Sequence, residues 1–450
     1  MRKLKLIDNI SGLQLFQLMK PVIFLIISIV LAKELAPEVV GQFEMFMFIG
    51  GFMTFFWVTG IIQSLLPLYN RNTTYRVVGE GGNGRAKSPE IFNAFLLLCF
   101  FSALFFILGH SLKNHFSVFN QSGNVPFINL LLLYILLSSP VCLIEYIYLL
   151  NNRAYRIFQY GLYTYGAQML LMIVPIFMGK GIIWSIYGLL FITGVRWIWL
   201  LILLRRYTEM KISADFMKEH MYLGIPLIIT CLISGSPQYI DGVIISSVYR
   251  DPAVFAQFRY GAKEFPLVLM LANGLSNALL PEFSTRERMK ESLEKIKVKS
   301  LQLMHILFPS AIVIMLFARW IYPVMFTGDY QKSADVFLVY SLMIIPRLVF
   351  PQTIIIGRKK THIIMIAGII EIALNIPLSL LMLQWGKGIV GVAVSTFAVT
   401  LLSKIFLSGY LWLKMNIKPS DYIPLKIYTL YFILISLVFV LIDHRVIDIQ

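Results

Sequence analysis

Apolar residues run through this chain in long blocks separated by short polar stretches, and no block shows the two-residue alternation of a half-buried strand. A helix needs about 20 residues to cross a bilayer. Thirteen blocks meet that length, at about 12–32, 42–67, 91–109, 126–150, 157–177, 182–204, 221–248, 258–281, 300–326, 334–356, 361–383, 389–413 and 423–442. Continuous runs exclude a transmembrane β-barrel, whose strands alternate. The pattern therefore predicts an all-α polytopic membrane protein. The first block has the basic start of a signal peptide (Arg2, Lys3, Lys5), but Lys20 interrupts it and twelve blocks follow. It reads as an uncleaved first helix.

Composition agrees. The chain is 58% hydrophobic and 14% charged, against about 45–50% and about 25% for soluble domains. That excludes a soluble enzyme with one membrane anchor. Cys99, Cys142 and Cys231 lie inside apolar runs without a CxxC spacing, so neither a disulfide framework nor a zinc site is suggested. The loops are short. The longest, 68–90 and 282–299, are too small for a folded domain.

The net charge of +16 changes meaning once it is placed on loops. Alternate loops carry 25 Lys and Arg on one side and 8 on the other, with six more inside spans. Basic loops stay in the cytoplasm, so the N-terminus is expected there. Topology accounts for most of the excess, and no nucleic-acid partner is needed.

The chain repeats itself. Pro37-Glu38-Val39-Val40-Gly41-Gln42-Phe43 follows the first span, and Pro252-Ala253-Val254-Phe255-Ala256-Gln257-Phe258 follows the seventh, at an offset of 215. The next helices end in Gln63-Ser64-Leu65-Leu66-Pro67-Leu68-Tyr69 and Asn277-Ala278-Leu279-Leu280-Pro281-Glu282-Phe283, at an offset of 214. Leucine richness alone does not produce the Pro, Gln and Phe matches. Each half holds six spans, an even number, so both run in the same sense. Their pseudo-twofold axis is expected along the membrane normal, with a substrate site between them near the midplane. The organisation expected is an N-lobe at 1–204, a cytoplasmic linker at 205–220, a C-lobe at 221–415, and a thirteenth helix with its tail at 416–450. Parity then puts the C-terminus outside.

Two six-helix lobes, the P-x-x-x-G-x-[F/Y] turn at Pro37, Gly41 and Phe43, and the stretch from Glu264-Phe265-Pro266 to Ala278-Leu279-Leu280-Pro281-Glu282-Phe283-Ser284 resemble one superfamily. It is that of the multidrug/oligosaccharidyl-lipid/polysaccharide exporters, and the branch most similar is that of bacterial polysaccharide and O-antigen flippases. Lipid II flippases are similar in the eighth helix. The architecture matches over about 1–415, and the short motifs carry the rest. The resemblance implies transport of a lipid-linked oligosaccharide through the bacterial cell (inner) membrane, no cofactor, and membrane lipids and other polysaccharide-assembly proteins as partners. In lipid II flippases a basic residue of the eighth helix faces the cavity. Counting back from Glu264-Phe265-Pro266, the matching position is Gly261, with Arg259 and Lys263 two residues to either side.

An ionisable residue mid-span costs about 2.5–3.5 kcal/mol on insertion scales, so each needs a reason. The bases are Lys20, Arg196, Arg259, Lys263, Arg347 and Lys404; the acids are Glu145, Asp241, Glu264 and Glu371, with Glu44 and Glu282 near span ends. Six against four predicts a cationic interior. Arg259 and Lys263, four apart, are expected on one helix face, with Asp241 as partner for one and substrate for the other. Lys20 lies eight residues into the first helix, about 12 Å of rise, and either snorkels or enters a cavity. Arg196 can snorkel toward Arg205 and the cytoplasm. Arg347 and Glu371 can neutralise each other, and Glu145 and Lys404 fit structural pairs. The substrate-binding set is therefore Arg259, Lys263, Lys20, Arg196 and Arg347, with Asp241, Glu264, Glu145 and Glu371 as charge partners or coupling groups.

Other signals are weaker. The glycine cluster at Gly79–Gly84 has no preceding strand and no P-loop lysine. His110 and His115 lack the i, i+4 spacing of a helical zinc pair. The basic stretch 284–300 opens with a capping pattern, Ser284 and Glu287, and predicts a short interfacial helix. A cation-coupled multidrug extruder would need an acid in the N-lobe, whose spans hold only Glu145 away from their ends. A membrane-embedded glycosyl-transferring enzyme would need outer loops with acid/base groups, yet 110–125 has no carboxylate and 327–333 only Asp329.

Overall fold

The computed structural model describes residues 9–80, 89–112, 125–151, 153–264, 266–284 and 289–446. Among the described residues every regular element is helical. The chain divides into two compact units, Met1–Leu232 and Ile233–Gln450. The first holds α1 (Asn9–Glu34), α2 (Pro37–Glu80), α3 (Glu90–Leu112), α4 (Ile128–Val141), α5 (Leu143–Leu150), α6 (Ala154–Phe177), α7 (Ile182–Tyr207) and most of α8 (Ala214–Gly235). The second holds α9 (Pro237–Tyr249), α10 (Pro252–Gly261), α11 (Pro266–Leu279), α12 (Met289–Met325), α13 (Gln331–Ser341), α14 (Ile344–Arg347), α15 (Pro351–Gly357), α16 (Thr361–Gln384), α17 (Gly388–Met415), α18 (Pro419–Tyr422) and α19 (Leu425–Asp443).

Ten helices among the described residues are long and apolar enough to cross a membrane, eleven if the bent pair Gly328–Arg347 and Pro351–Gly357 is one span. Thirteen were expected. The eighth expected span fails the test because it is two helices of 10 and 14 residues, α10 and α11. The first, α1, is 26 residues long, but most of its side chains before Met19 lie outside the described residues. Membrane character also shows on the surface. Phe191, Ile198 and Ile202 on α7 are 65%, 62% and 60% exposed, a stripe that only an apolar solvent tolerates. Inside, Ser64, Ser102, Thr164 and Thr193 each donate to a carbonyl four residues back on their own helix, satisfying hydroxyls where water is absent.

Proline breaks the spans where a second constraint joins it. Proline lacks an N–H and disfavours helix at the residue before it, yet Pro67 and Pro377 sit inside unbroken helices. Between α10 and α11, Pro266 acts together with Gly261, where an added Cβ would lie 2.4 Å from the Ser333 carbonyl oxygen and 2.6 Å from Val336 Cβ. At the repeat offset the first half has Gly51 in place of Pro266, and α2 runs on unbroken. Pro346 and Pro351 similarly divide α14 from α15, with a 46° bend.

The repeat has a conformational counterpart. Pro37 and Pro252 both open a helix. A further match was missed in the sequence: Gly179-Lys180-Gly181-Ile182 and Gly386-Lys387-Gly388-Ile389, at an offset of 207. All four glycines take positive φ (69°, 75°, 73° and 59°), so both turns need glycine at both places. The basic stretch expected as a separate interfacial helix is instead the start of the 37-residue α12, because its apolar positions continue the helical period into the span. Glu287 of the capping pattern, Gly81–Gly84 and His115 lie outside the described residues.

Gly261→Ala should destabilise the protein by about 1–2 kcal/mol, the cost of overpacking against backbone. Gly194→Ala, where nothing lies within 4 Å of the added Cβ, should not. Thermal unfolding in detergent reads the difference, and equal effects would contradict the close approach of α10 to α13.

Candidate functional site

A cavity of about 420 Å³ lies within the second unit, lined mainly by residues of α9, α10, α13, α14, α15, α16 and α17 and of the α10–α11 break. Six ionisable side chains reach it: Asp241, Arg259, Glu264, Arg347, Glu371 and Lys404. Three bases face three acids, where the sequence led us to expect an excess of bases.

Buried Asp241, on α9, is met by uncharged donors. Tyr340 Oη and Thr396 Oγ1 both donate to Oδ2 at 2.6 Å, and Asn375 Nδ2 donates to Oδ1 at 3.0 Å. Ser379 in turn donates to Asn375 Oδ1 at 2.9 Å. These groups take the place of the ion pair expected with the eighth-span bases.

Arg347 forms a two-pronged ion pair with Glu264, Nε to Oε2 at 2.9 Å and Nη2 to Oε1 at 2.6 Å. Such a fork is the strongest arrangement available to a carboxylate. The pairing of Arg347 with Glu371 inferred from sequence is thus replaced: Glu264 lies in the α10–α11 break, freed from helical register to turn toward α14. Glu371 instead accepts from Thr400 Oγ1 at 3.2 Å. Lys404 Nζ donates to Gln352 Oε1, and to the Val349 carbonyl, 3.4 Å away, which the α14–α15 break leaves open.

Arg259 lines the cavity. Lys263 does not share a helix face with it, because α10 ends at Gly261 ahead of Pro266. Its ammonium sits 4.6 Å from the centre of the Tyr260 ring. Tyr260 is fully buried and stacks on Phe326 and Tyr330, at 4.8 and 5.0 Å.

The first unit gathers Lys20 (α1), Glu145 (α5) and Arg196 (α7). Lys20 is exposed, and Glu145 and Arg196 contribute to its electrostatic environment. Arg196 does not snorkel. It is only 8% exposed, donates from Nη2 to Gln168 Oε1 at 2.9 Å, and lies 4.4 Å over the Tyr165 ring. Its Nε is buried without a hydrogen-bond partner among the described residues. Trp197 and Trp199 pin that part of α7 by donating to the Leu137 carbonyl at 2.6 Å and Tyr148 Oη at 3.0 Å. Two residues so anchored leave Arg196 facing inward.

Sequence reasoning missed the uncharged half of the site: Tyr340, Gln352, Asn375 and Thr396. A signal was present. Thr396, Thr400, Ser403 and Lys404 form an i, i+4, i+7, i+8 polar stripe along an otherwise apolar span, and Asn375 and Ser379 repeat that spacing on α16.

Glu264→Gln should leave Arg347 uncompensated. Breaking a fully buried pair costs about 3–5 kcal/mol, and with the Arg347 side chain 34% exposed we expect about 2 kcal/mol. Replacing Arg347 as well, with Gln, should recover at least half of that loss in thermal unfolding. Additive losses would mean that the two side chains are not coupled.

The likeness to known proteins follows this geometry. A family model described as "Polysaccharide biosynthesis protein" matches residues 30–335. No curated protein matches the chain. Among solved structures, the lipid II flippase MurJ in its inward closed conformation shares 16% identity over 96% of this chain and 99% of its own, with a TM-score of 0.66. An inward-facing multidrug resistance MATE family transporter of the MOP superfamily shares 15% identity over 91% and 98%, with a TM-score of 0.62. The fold is thus that of the multidrug/oligosaccharidyl-lipid/polysaccharide exporter superfamily, and the chain is a multi-pass membrane protein belonging to the polysaccharide biosynthesis protein family.

Proposed function

We propose that the protein is a flippase that moves a polyprenyl-pyrophosphate-linked oligosaccharide, a polysaccharide or O-antigen repeat unit, from the inner to the outer leaflet by alternating access. The observation that carries this reading is the polar, charge-lined cavity of about 420 Å³ inside an all-helical membrane unit. A sugar head and its pyrophosphate need such a wet, hydrogen-bonding enclosure, because burying polar groups without partners costs several kcal/mol each. The polyprenyl tail needs no pocket and remains in lipid. Membership of the polysaccharide biosynthesis family and a fold shared with a lipid II flippase support the substrate class.

In this reading Arg259 contacts the anionic head from the cavity wall, Lys263 and Arg347 are further candidates in the second unit, and Lys20 and Arg196 are candidates in the first. Asp241, Glu145, Glu264 and Glu371 act as charge partners or coupling groups. No bond is made or broken, so no nucleophile, metal or cofactor enters the mechanism. The bias of basic loops supports a cytoplasmic N-terminus, and the likeness to polysaccharide flippases supports a bacterial cell membrane. An inside-negative potential then favours export by about 2.3 kcal/mol per negative charge per 100 mV.

A second reading is cation-coupled multidrug extrusion. The fold shared with a multidrug transporter favours it, and Glu145 of the first unit is the acid it would use. Drug resistance on overexpression separates it from the first, since a flippase for sugar lipids should confer none. For the flippase reading, purified protein in vesicles should translocate a fluorescent polyprenyl-pyrophosphate sugar. Dissipating the potential should slow it, and alanine at both Arg259 and Lys263 should reduce it at least tenfold. Full activity of the double variant at normal protein level would remove the pair from the site.

A further inference from the structure

The cavity holds three bases, and their surroundings differ. Both prongs of Arg347 are taken by Glu264. Arg259 comes from the short helix α10 and also lines the cavity. Lys404, on α17, is held by a side-chain amide oxygen and a backbone carbonyl, Gln352 Oε1 and Val349 O. Among the described residues no carboxylate lies within the 4 Å of an ion pair with its ammonium. Glu371 shares the wall, but its carboxylate is engaged by Thr400. Lys404 is therefore hydrogen-bonded by neutral acceptors and, among the described residues, forms no direct ion pair.

Neutral carbonyls are the weaker partners for an ammonium: a hydrogen bond with both ends charged is roughly twice as strong. A phosphate oxygen entering the cavity can displace Gln352 or Val349 at a net gain, whereas at Arg347 it would have to displace a carboxylate. Ser403 lines the cavity beside Lys404, and Thr400 stands one helical turn away. The Thr400 hydroxyl is already given to Glu371, so the ammonium of Lys404 is the group here that meets an anion oxygen. Lysine suits this task as a compact point charge on a flexible stem.

We infer that Lys404, in the second-unit cavity, is a specificity-determining residue that binds the phosphate-bearing end of the transported headgroup and favours a pyrophosphate over a monophosphate. The inference rests on the flippase reading. The competing role is structural, with Lys404 only tying α17 to the open carbonyl of the α14–α15 break.

The two roles separate in vesicles carrying the purified protein and two probes, a fluorescent polyprenyl-pyrophosphate-linked sugar and the matching monophosphate-linked sugar. Lys404→Gln should lower pyrophosphate translocation at least tenfold and monophosphate translocation less than threefold, so that the preference between them falls. Lys404→Arg should keep that preference within threefold of wild type. The ratio does not depend on how much protein is active, so partial misfolding cannot imitate the result. An equal loss on both probes, or no loss on either, would overturn the inference while leaving the flippase reading intact. If the wild-type protein moves neither probe, the flippase reading itself fails and takes the inference with it.

Discussion

An ionised side chain inside an apolar span must be met by something other than lipid, and nearly every feature of this protein's interior follows from that requirement. Asp241 is met by a phenol, a hydroxyl and an amide; Arg347 by a carboxylate; Arg196 by an amide and an aromatic face; Lys404 by two carbonyl oxygens. Few of these partners are themselves charged. Polar stripes on α16 and α17 take up the charge of Asp241 on α9, while the eighth-span break supplies Glu264 to Arg347 of α14.

The helix breaks make this possible. A continuous helix fixes side-chain directions at 100° intervals and consumes its own carbonyls. Where Gly261 and Pro266 interrupt the eighth span, Glu264 leaves helical register and reaches Arg347. Where Pro346 and Pro351 interrupt the tenth, the Val349 carbonyl opens to Lys404. Irregular backbone at membrane depth is tolerated only where it is buried in protein or lines a polar cavity; the eighth-span break lines this one, and the tenth-span break is buried beside it. The same interruptions that spoil two otherwise plain spans thus create the enclosure on which the proposed transport depends.

Much of this was legible in the sequence, and the limits have physical causes. Length and apolarity of the blocks dictated helices and a membrane. The Pro37 and Pro252 motifs predicted a duplication, and both open helices. The eighth span was misjudged as one helix because apolar periodicity continues across Ala262–Phe265, and a proline in a membrane helix does not by itself break it. Lys263 was misplaced for that reason. Pairings among charges failed for another: which acid meets Arg347 depends on backbone direction at a break, which hydropathy does not encode. Snorkelling of Arg196 toward the cytoplasm was one reading of its place near Arg205, but the neighbouring tryptophans orient that part of α7 so that Arg196 faces inward.

The central claim is that the second unit encloses a water-accessible, charge-lined chamber. It is tested most directly by the reactivity of single cysteines, with Cys99, Cys142 and Cys231 first replaced. Cysteine at Gln238 or Gln352, on the cavity wall, should react with a charged, water-soluble thiol reagent, while cysteine at the outward-facing Leu402 or Ile405 should not. Equal labelling at all four positions, or labelling only at Leu402 and Ile405, would contradict the account.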